Sequence, residues 1–234
     1  MKKLVVKILS VIVVMAVCIG CGSGGYRMTM TVEGSGSFSF ELRGSGIATV
    51  DWGDGSDRTT HELSGERGRT FSKVYAGSGR HTITITGNDI IGLTVGSSQL
   101  TGLDVRRNTK LMRLEVTQGQ FTNLDVSRNT ALTRLWIENT QLTSLDLSNN
   151  TALTSLMIRR TPLASLDVRN NTTLNWLNVN PNQLTASDLN ALFESLPHRD
   201  GSERGRIFIG NNPGTSDANR SIAEARGWYV LENW

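Results

Sequence analysis

The sequence predicts a mainly β fold: a solenoid of stacked coils, preceded by a small strand-rich module and closed by a segment mixing helices and strands. Three observations carry that expectation. From Gln99 to Asn182 one pattern recurs four times with a period of 21 residues, reading QLTGLDVRRNTKLMRLEVTQG, QFTNLDVSRNTALTRLWIENT, QLTSLDLSNNTALTSLMIRRT and PLASLDVRNNTTLNWLNVNPN. From Tyr26 to Thr86 apolar and polar residues alternate, with breaks rich in glycine and serine. After Leu184 the spacing of Leu189, Leu192, Phe193 and Leu196 turns helical.

The opening stretch reads as an export signal, with Lys2, Lys3 and Lys7 ahead of a short apolar run from Ile8 to Ile19. That run falls short of the roughly 20 apolar residues that span a bilayer. The segment Val17-Cys18-Ile19-Gly20-Cys21 resembles a bacterial lipobox, although Cys18 stands where leucine is usual. The resemblance implies a lipoprotein signal peptide over residues 1–20, lipidation of Cys21 and a glycine-rich tether over 21–25. The whole chain has 24 basic and 21 acidic residues. Removing the first 20 residues takes away three lysines and no acid, leaving the counts equal, so a nucleic-acid partner has no electrostatic support. Both cysteines lie in this stretch, so no disulfide or thiolate metal site is expected beyond it.

In the module expected over 26–89, Met28, Met30 and Val32 alternate with polar residues, as do Phe38, Phe40 and Leu42, and later Ile83 and Ile85. Between these runs sits Thr49-Val50-Asp51-Trp52-Gly53-Asp54-Gly55-Ser56. This resembles the polycystic-kidney-disease-type (PKD) domain, with Tyr75, Gly79 and His81 to Ile85 where that family places its later aromatic, glycine and strand. The resemblance implies an Ig-like β-sandwich. Asp51, Asp54 and Asp57 offer clustered oxygens of the kind calcium takes, but their spacing is not that of a helix-loop-helix calcium site. A turn is expected instead, with Asp54 accepting from nearby backbone N–H groups.

The solenoid is expected over 90–184. Its apolar columns run through Leu100, Leu103, Val105, Leu111 and Leu114 and their equivalents in each coil. The runs LDVSRNTALTRL and QLTSLDLSNNTALTSL resemble the leucine-rich repeats of bacterial surface lipoproteins. That resemblance implies a lipid-anchored protein at the outer membrane, exposed to the surface and active in protein binding or adhesion.

One edge of each coil is monotonous. Asp104, Asp125, Asp146 and Asp167 form one column, and Asn108, Asn129, Asn150 and Asn171 another. Both are expected to be structural, the asparagines closing turns against adjacent coils. The other edge varies, with an outward column of Thr94, Glu115, Trp136, Met157 and Asn178. Large apolar residues facing away from a core, interleaved with arginines, suit a recognition surface. The candidate ligand-binding residues are therefore Arg113, Arg134, Trp136, Met157, Arg159 and Trp176, on what is expected to be the concave face.

The closing segment, 185–234, is expected to hold a helix capped by Ser187, a strand at Arg206–Ile209, a second helix from Asp217 to Arg226 stopped by Gly227, and a strand at Trp228–Leu231. Phe208 would join the outward column. The histidines, His61, His81 and His198, neighbour no plausible nucleophile, and there is no nucleophile turn or glycine-rich phosphate loop. No catalytic residue, metal or cofactor is expected. The sequence points to a non-enzymatic envelope protein that binds an extracellular protein or glycan. A structural subunit of an envelope complex and an accessory polysaccharide-binding lipoprotein are the competing readings.

Overall fold

Two long strands open the part of the chain that the computed structural model describes, residues 26–199 and 203–233. The signal, Cys21 and the tether lie outside the described residues. Strands β1 (Arg27–Asp51) and β2 (Thr59–Thr86) pair antiparallel from Arg27↔Thr86 to Val50↔Thr59. Alternation buries Met28, Met30, Val32, Phe38, Phe40 and Leu42, none more than 3% exposed. Several short strands were expected here, but the glycine- and serine-rich breaks bend the strands rather than end them. Register shifts between Gly34 and Gly36 and between Leu42 and Gly44 mark the bends. The hairpin curls until Thr84–Thr86 pairs with Arg27–Thr29 on one side and Thr49–Asp51 on the other.

The WGDG segment closes one end of this hairpin. Trp52, 2% exposed, donates from Nε1 to Thr59 Oγ1 at 2.8 Å, and the Tyr75 hydroxyl donates to the Trp52 carbonyl at 2.8 Å. Gly53 has φ +71° and passes so close to strand β2 that a Cβ there would lie 2.4 Å from the Thr82 carbonyl oxygen. Asp51 and Asp54 each accept from a backbone N–H two residues on, at 3.0 and 3.1 Å. Lys73 sits 2.7 Å from Asp54 Oδ2. Its hydrogen bond, followed by that of Ser56, holds the Asp54 carboxyl well below the usual carboxylate range.

Strand β1 also starts the solenoid. It pairs antiparallel with β3 (Asp89–Gly96) through Phe40–Ser45, and with β4 (Leu100–Asp104) through Thr29–Val32. The first LxxLD segment is a strand because β1 lies beside it, whereas the same segment of later coils is not. From β3 onward each coil adds one parallel strand: β5 (Arg113–Thr117), β6 (Arg134–Glu138), β7 (Ser155–Arg159) and β8 (Trp176–Asn178). The sheet thus passes through position 89 without a break, and one continuous core runs from Met28 to Trp228. The architecture is a mainly β solenoid of leucine-rich coils.

Perfect 21-residue register puts equivalent side chains above one another. Leu111, Leu132, Leu153 and Leu174 are fully buried, as are Leu114, Leu135, Leu156 and Leu177. Truncating any of them to alanine would cost about 2–5 kcal/mol through lost burial and the cavity left behind. The monotonous edge is held by two polar ladders. Asn129 Nδ2 donates to the carbonyls of Val105 and Asn108 at 2.9 and 2.8 Å, and Asn150 and Asn171 repeat this one coil on. Each aspartate of the neighbouring column accepts from the backbone N–H two residues ahead, at 2.9–3.0 Å. These bonds, with Arg106, Ser127, Ser148 and Arg169 alongside, answer the repulsion within the column and lower all four carboxyl pKa values.

Helix α1 (Ala186–Ser195) replaces the monotonous edge after the last coil. Ser195 Oγ accepts from Val168 N at 3.2 Å, which fixes the helix on that side. Leu189, Leu192 and Phe193 continue the core, all fully buried. The N-cap is Thr185 rather than Ser187. Asp188 stands at the third helical position from Thr185 and completes a reciprocal capping box, which Ser187 cannot do.

Strand β9 (Gly205–Phe208) joins β8 in parallel, and β10 (Trp228–Leu231) joins β9. Between them only Ser221–Glu224 is helical (α2), not Asp217–Arg226. Gly214 O receives the N–H groups of Asp217 and Ala218 in a separate turn, and Asn190 Oδ1 takes Asn219 N at 2.7 Å, so the helix starts late. The helix ends at its C-cap Ala225, ahead of the expected stop, and Gly227, at φ +79°, closes the turn that follows.

Candidate binding face

The parallel register turns the varied edge of the repeats into rows across the sheet. One row runs Thr94, Glu115, Trp136, Met157, Asn178 and Phe208, from β3 to β9. A second runs Arg113, Arg134, Ser155, Trp176, Arg206 and Tyr229, reaching β10. A third includes Thr117, Glu138 and Arg159. Because strands alternate their side chains, all three rows lie on one face, and the buried leucine and valine columns between them point to the core.

Four of the six candidate residues meet. The rings of Trp136 and Trp176 lie with centroids 6.4 Å apart, and Trp176 continues to Phe208 at 5.6 Å. Trp136 Nε1 donates to Ser155 Oγ at 3.4 Å, so the small residue of the second row sits beside the indole pair. The Arg134 guanidinium lies 5.0 Å over the Trp136 ring, a cation–π arrangement. Met157 falls in the strand between the two tryptophans. At 6% exposed it supports the cluster more than it presents surface, and Phe208 is equally covered. Trp136, Trp176 and Arg134 are half-buried and keep an accessible side.

The other two candidates stand apart. Arg113 pairs with Glu66 of strand β2, which ties the start of its row to the N-terminal hairpin. Arg159 belongs to the third row, and its Nε donates to the Asn180 carbonyl at 2.7 Å. Cys21 lies outside the described residues. Two further residues of the face, Arg206 and Tyr229, follow the end of the 21-residue period, so column counting does not reach them. Aligning Phe208 with Asn178 was the available signal, since it places Arg206 beside Trp176.

The face is an aromatic strip edged by cations, open to solvent, with no nucleophile–base pair along it among the described residues. The histidines lie elsewhere. His61 contacts Arg69 at 2.8 Å, and His81 stacks on Tyr75 with centroids 4.2 Å apart. Among the described residues no group of three or more His, Cys, Asp or Glu side chains is placed to hold a metal ion.

No family model and no curated protein matches the chain. Among solved structures, the chain is similar to the functional domain of InlJ from Listeria monocytogenes, a domain that includes a cysteine ladder, with 29% identity and a TM-score of 0.37. That likeness covers 57% of this chain and 37% of the InlJ chain.

Proposed function

We propose that this is a non-enzymatic, lipid-anchored protein of the cell envelope whose sheet face captures an extracellular protein or glycan. The observation that supports it is the Trp136–Trp176–Phe208 strip, with Arg134 and Arg206 beside it, on the one edge of the solenoid not committed to structural ladders. Tryptophan and arginine are enriched among the residues that carry most of the energy of a binding surface. Anchoring through Cys21 is supported by the lipobox-like sequence alone, and exposure at the outer membrane by the likeness of the repeats to those of surface lipoproteins. The PKD-like reading of 26–89 draws support from the WGDG turn, whose Trp52 and Tyr75 join by the 2.8 Å hydrogen bond.

The test is capture from arrays of glycans and extracellular proteins by the chain and by Trp136→Ala/Trp176→Ala. The proposal expects capture to fall at least about ten-fold, equivalent to about 1.4 kcal/mol, with the melting cooperativity unchanged. Undiminished capture by the double variant would sink the site.

A second reading, that the chain is a structural subunit of an envelope complex, is favoured by one observation. Strand β10 ends the sheet with Tyr229 and Leu231 at 49% and 36% exposed, an edge that a partner strand could cover. A stable stoichiometric partner that protects β10 would favour it.

A further inference from the structure

We propose that the junction between the last coil and the C-terminal strands is a site for an anionic sugar residue. The inference rests on the reading of the sheet face as a ligand-binding surface, and it assigns to that surface a ligand class and a specific end. Trp176, Arg206 and Tyr229 are in-register neighbours on β8, β9 and β10. With strands about 4.8 Å apart, the two aromatic residues stand about 10 Å apart with a guanidinium between them. Arg204, the residue just before β9, holds its guanidinium 4.6 Å over the Tyr229 ring. Arg199 and Glu203 complete a cavity of about 540 Å³, within the range of small-ligand sites.

Among the described residues the cavity carries more positive than negative charge. Its lining there holds three arginines against one carboxylate, the exposed Glu203. Among the described residues neither Arg199, Arg204 nor Arg206 forms an ion pair, whereas Arg58, Arg106, Arg113, Arg160, Arg169 and Arg220 all do. The contact with Tyr229 holds the Arg204 guanidinium over the ring. The N–H edge stays open for a carboxylate or sulfate, which a guanidinium binds with two parallel hydrogen bonds.

The shape favours a sugar over an acidic peptide. A pyranose presents C–H groups on its faces, which suit flat aromatic rings, and carries its anionic group at the ring edge, where the arginines are. An aliphatic or aromatic peptide side chain would instead need a deep apolar hole, and apart from the two rings the lining here is polar, with exposed Asn175 beside Trp176.

The experiment prints carboxylated and sulfated glycans beside their neutral parents and probes them with the full chain, Arg204→Gln/Arg206→Gln, Arg204→Lys/Arg206→Lys and Trp136→Ala. The proposal predicts that anionic members are retained at least ten-fold over their parents. It also predicts that retention weakens as salt rises to about 0.5 M, where exposed charge contacts are screened. The glutamine pair should lose this preference at an unchanged melting temperature, and the lysine pair should restore part of it. Preference confined to the carboxylated members, or to the sulfated ones, supports the site and names its anion. Equal retention of neutral parents, an undiminished preference in the glutamine pair, or tighter capture of an acidic peptide than of any glycan would overturn it. Capture lost in Trp136→Ala but untouched by the glutamine pair overturns the junction site and leaves the sheet-face reading standing. The reverse pattern supports the junction site and removes the wider face.

Discussion

Trp136 and Trp176 sit on strands that are separated by β7, yet their ring centroids are 6.4 Å apart. Two strand spacings amount to about 9.6 Å, so the indoles lean toward each other across the intervening strand. Ser155 makes this possible. It is the small member of a row whose neighbours are Arg134 and Trp176, and its hydroxyl receives the Trp136 N–H. A surface residue chosen at random would not combine a small side chain, a polar acceptor and two flanking indoles.

Ser155→Leu should therefore pry the indoles apart without unfolding the coil. The expected result is a reduced near-ultraviolet circular dichroism signal from the coupled rings, with the far-ultraviolet spectrum and the urea midpoint almost unchanged. Trp176→Ala should also cost roughly 1–2 kcal/mol of stability, the worth of a partly buried aromatic contact plus its covered area. A loss above about 4 kcal/mol would mean that Trp176 serves the core rather than the surface.

The asparagine ladder makes a separate stability prediction. Asn150 is fully buried, and its amide satisfies two carbonyls of the preceding coil. Asn150→Ala removes one of two donors from each, since the N–H groups of Asn129 and Leu132 also reach these carbonyls, for a loss of about 1–3 kcal/mol, read from urea denaturation. Asp146→Asn, on the exposed column beside it, should change stability far less.

Acid should destabilise the fold through the aspartate column. Asp104, Asp125, Asp146 and Asp167 all have carboxyl pKa values below the ordinary 3.8. The leading stabilising contacts are the Arg106 and Ser127 side chains for the first two and the Ser148 backbone N–H for the third. At Asp167 burial acts in the opposite direction and is outweighed by the Arg169 backbone and guanidinium. Depressed folded-state values mean that the unfolded chain binds protons more readily. The stability contributed is full above about pH 4 and is lost as pH falls through the folded values. Urea midpoints should hold steady from neutral pH to about 5 and fall steeply below 4, and Asp125→Asn should flatten that fall.

Tyr75 titrates at the other extreme. Burial, followed by the charge of Asp54, pushes its phenol up to about 12 from an ordinary 10.0. A raised folded value stabilises the native state below pH 10 and withdraws that contribution as pH climbs toward 12. The ultraviolet absorbance of tyrosinate should show a late component that Tyr75→Phe removes. Loss of the hydrogen bond to the Trp52 carbonyl should cost about 1 kcal/mol.

Much of the solenoid was legible in the sequence because a period fixes geometry. Once Leu111 and Leu132 are known to be equivalent, so are Trp136 and Met157, and the rows of the sheet follow. The asparagine ladder was legible for the same reason. The N-terminal hairpin was less so, since glycine and serine near Gly34 and Gly44 can signal either a turn or a bulge, and only the partner strand decides. Thr185 and Ser187 are both good caps in isolation, and the choice fell to Asp188. Arg206 and Tyr229 escaped because they join the sheet after the period has ended, where sequence offsets no longer measure distance. The convergence of Trp136 on Trp176 depends on side-chain lean over Ser155, which column counting does not contain.

The most direct measurement is oxidative footprinting of Trp136 and Trp176 by mass spectrometry, with and without a captured ligand. The account predicts that both indoles are labelled in the free chain and protected several-fold in the complex, while the Asp104–Asp167 edge is modified equally in both states. Unchanged labelling of the two tryptophans, with protection appearing on the aspartate edge, would contradict it and move the binding surface to the other side of the solenoid.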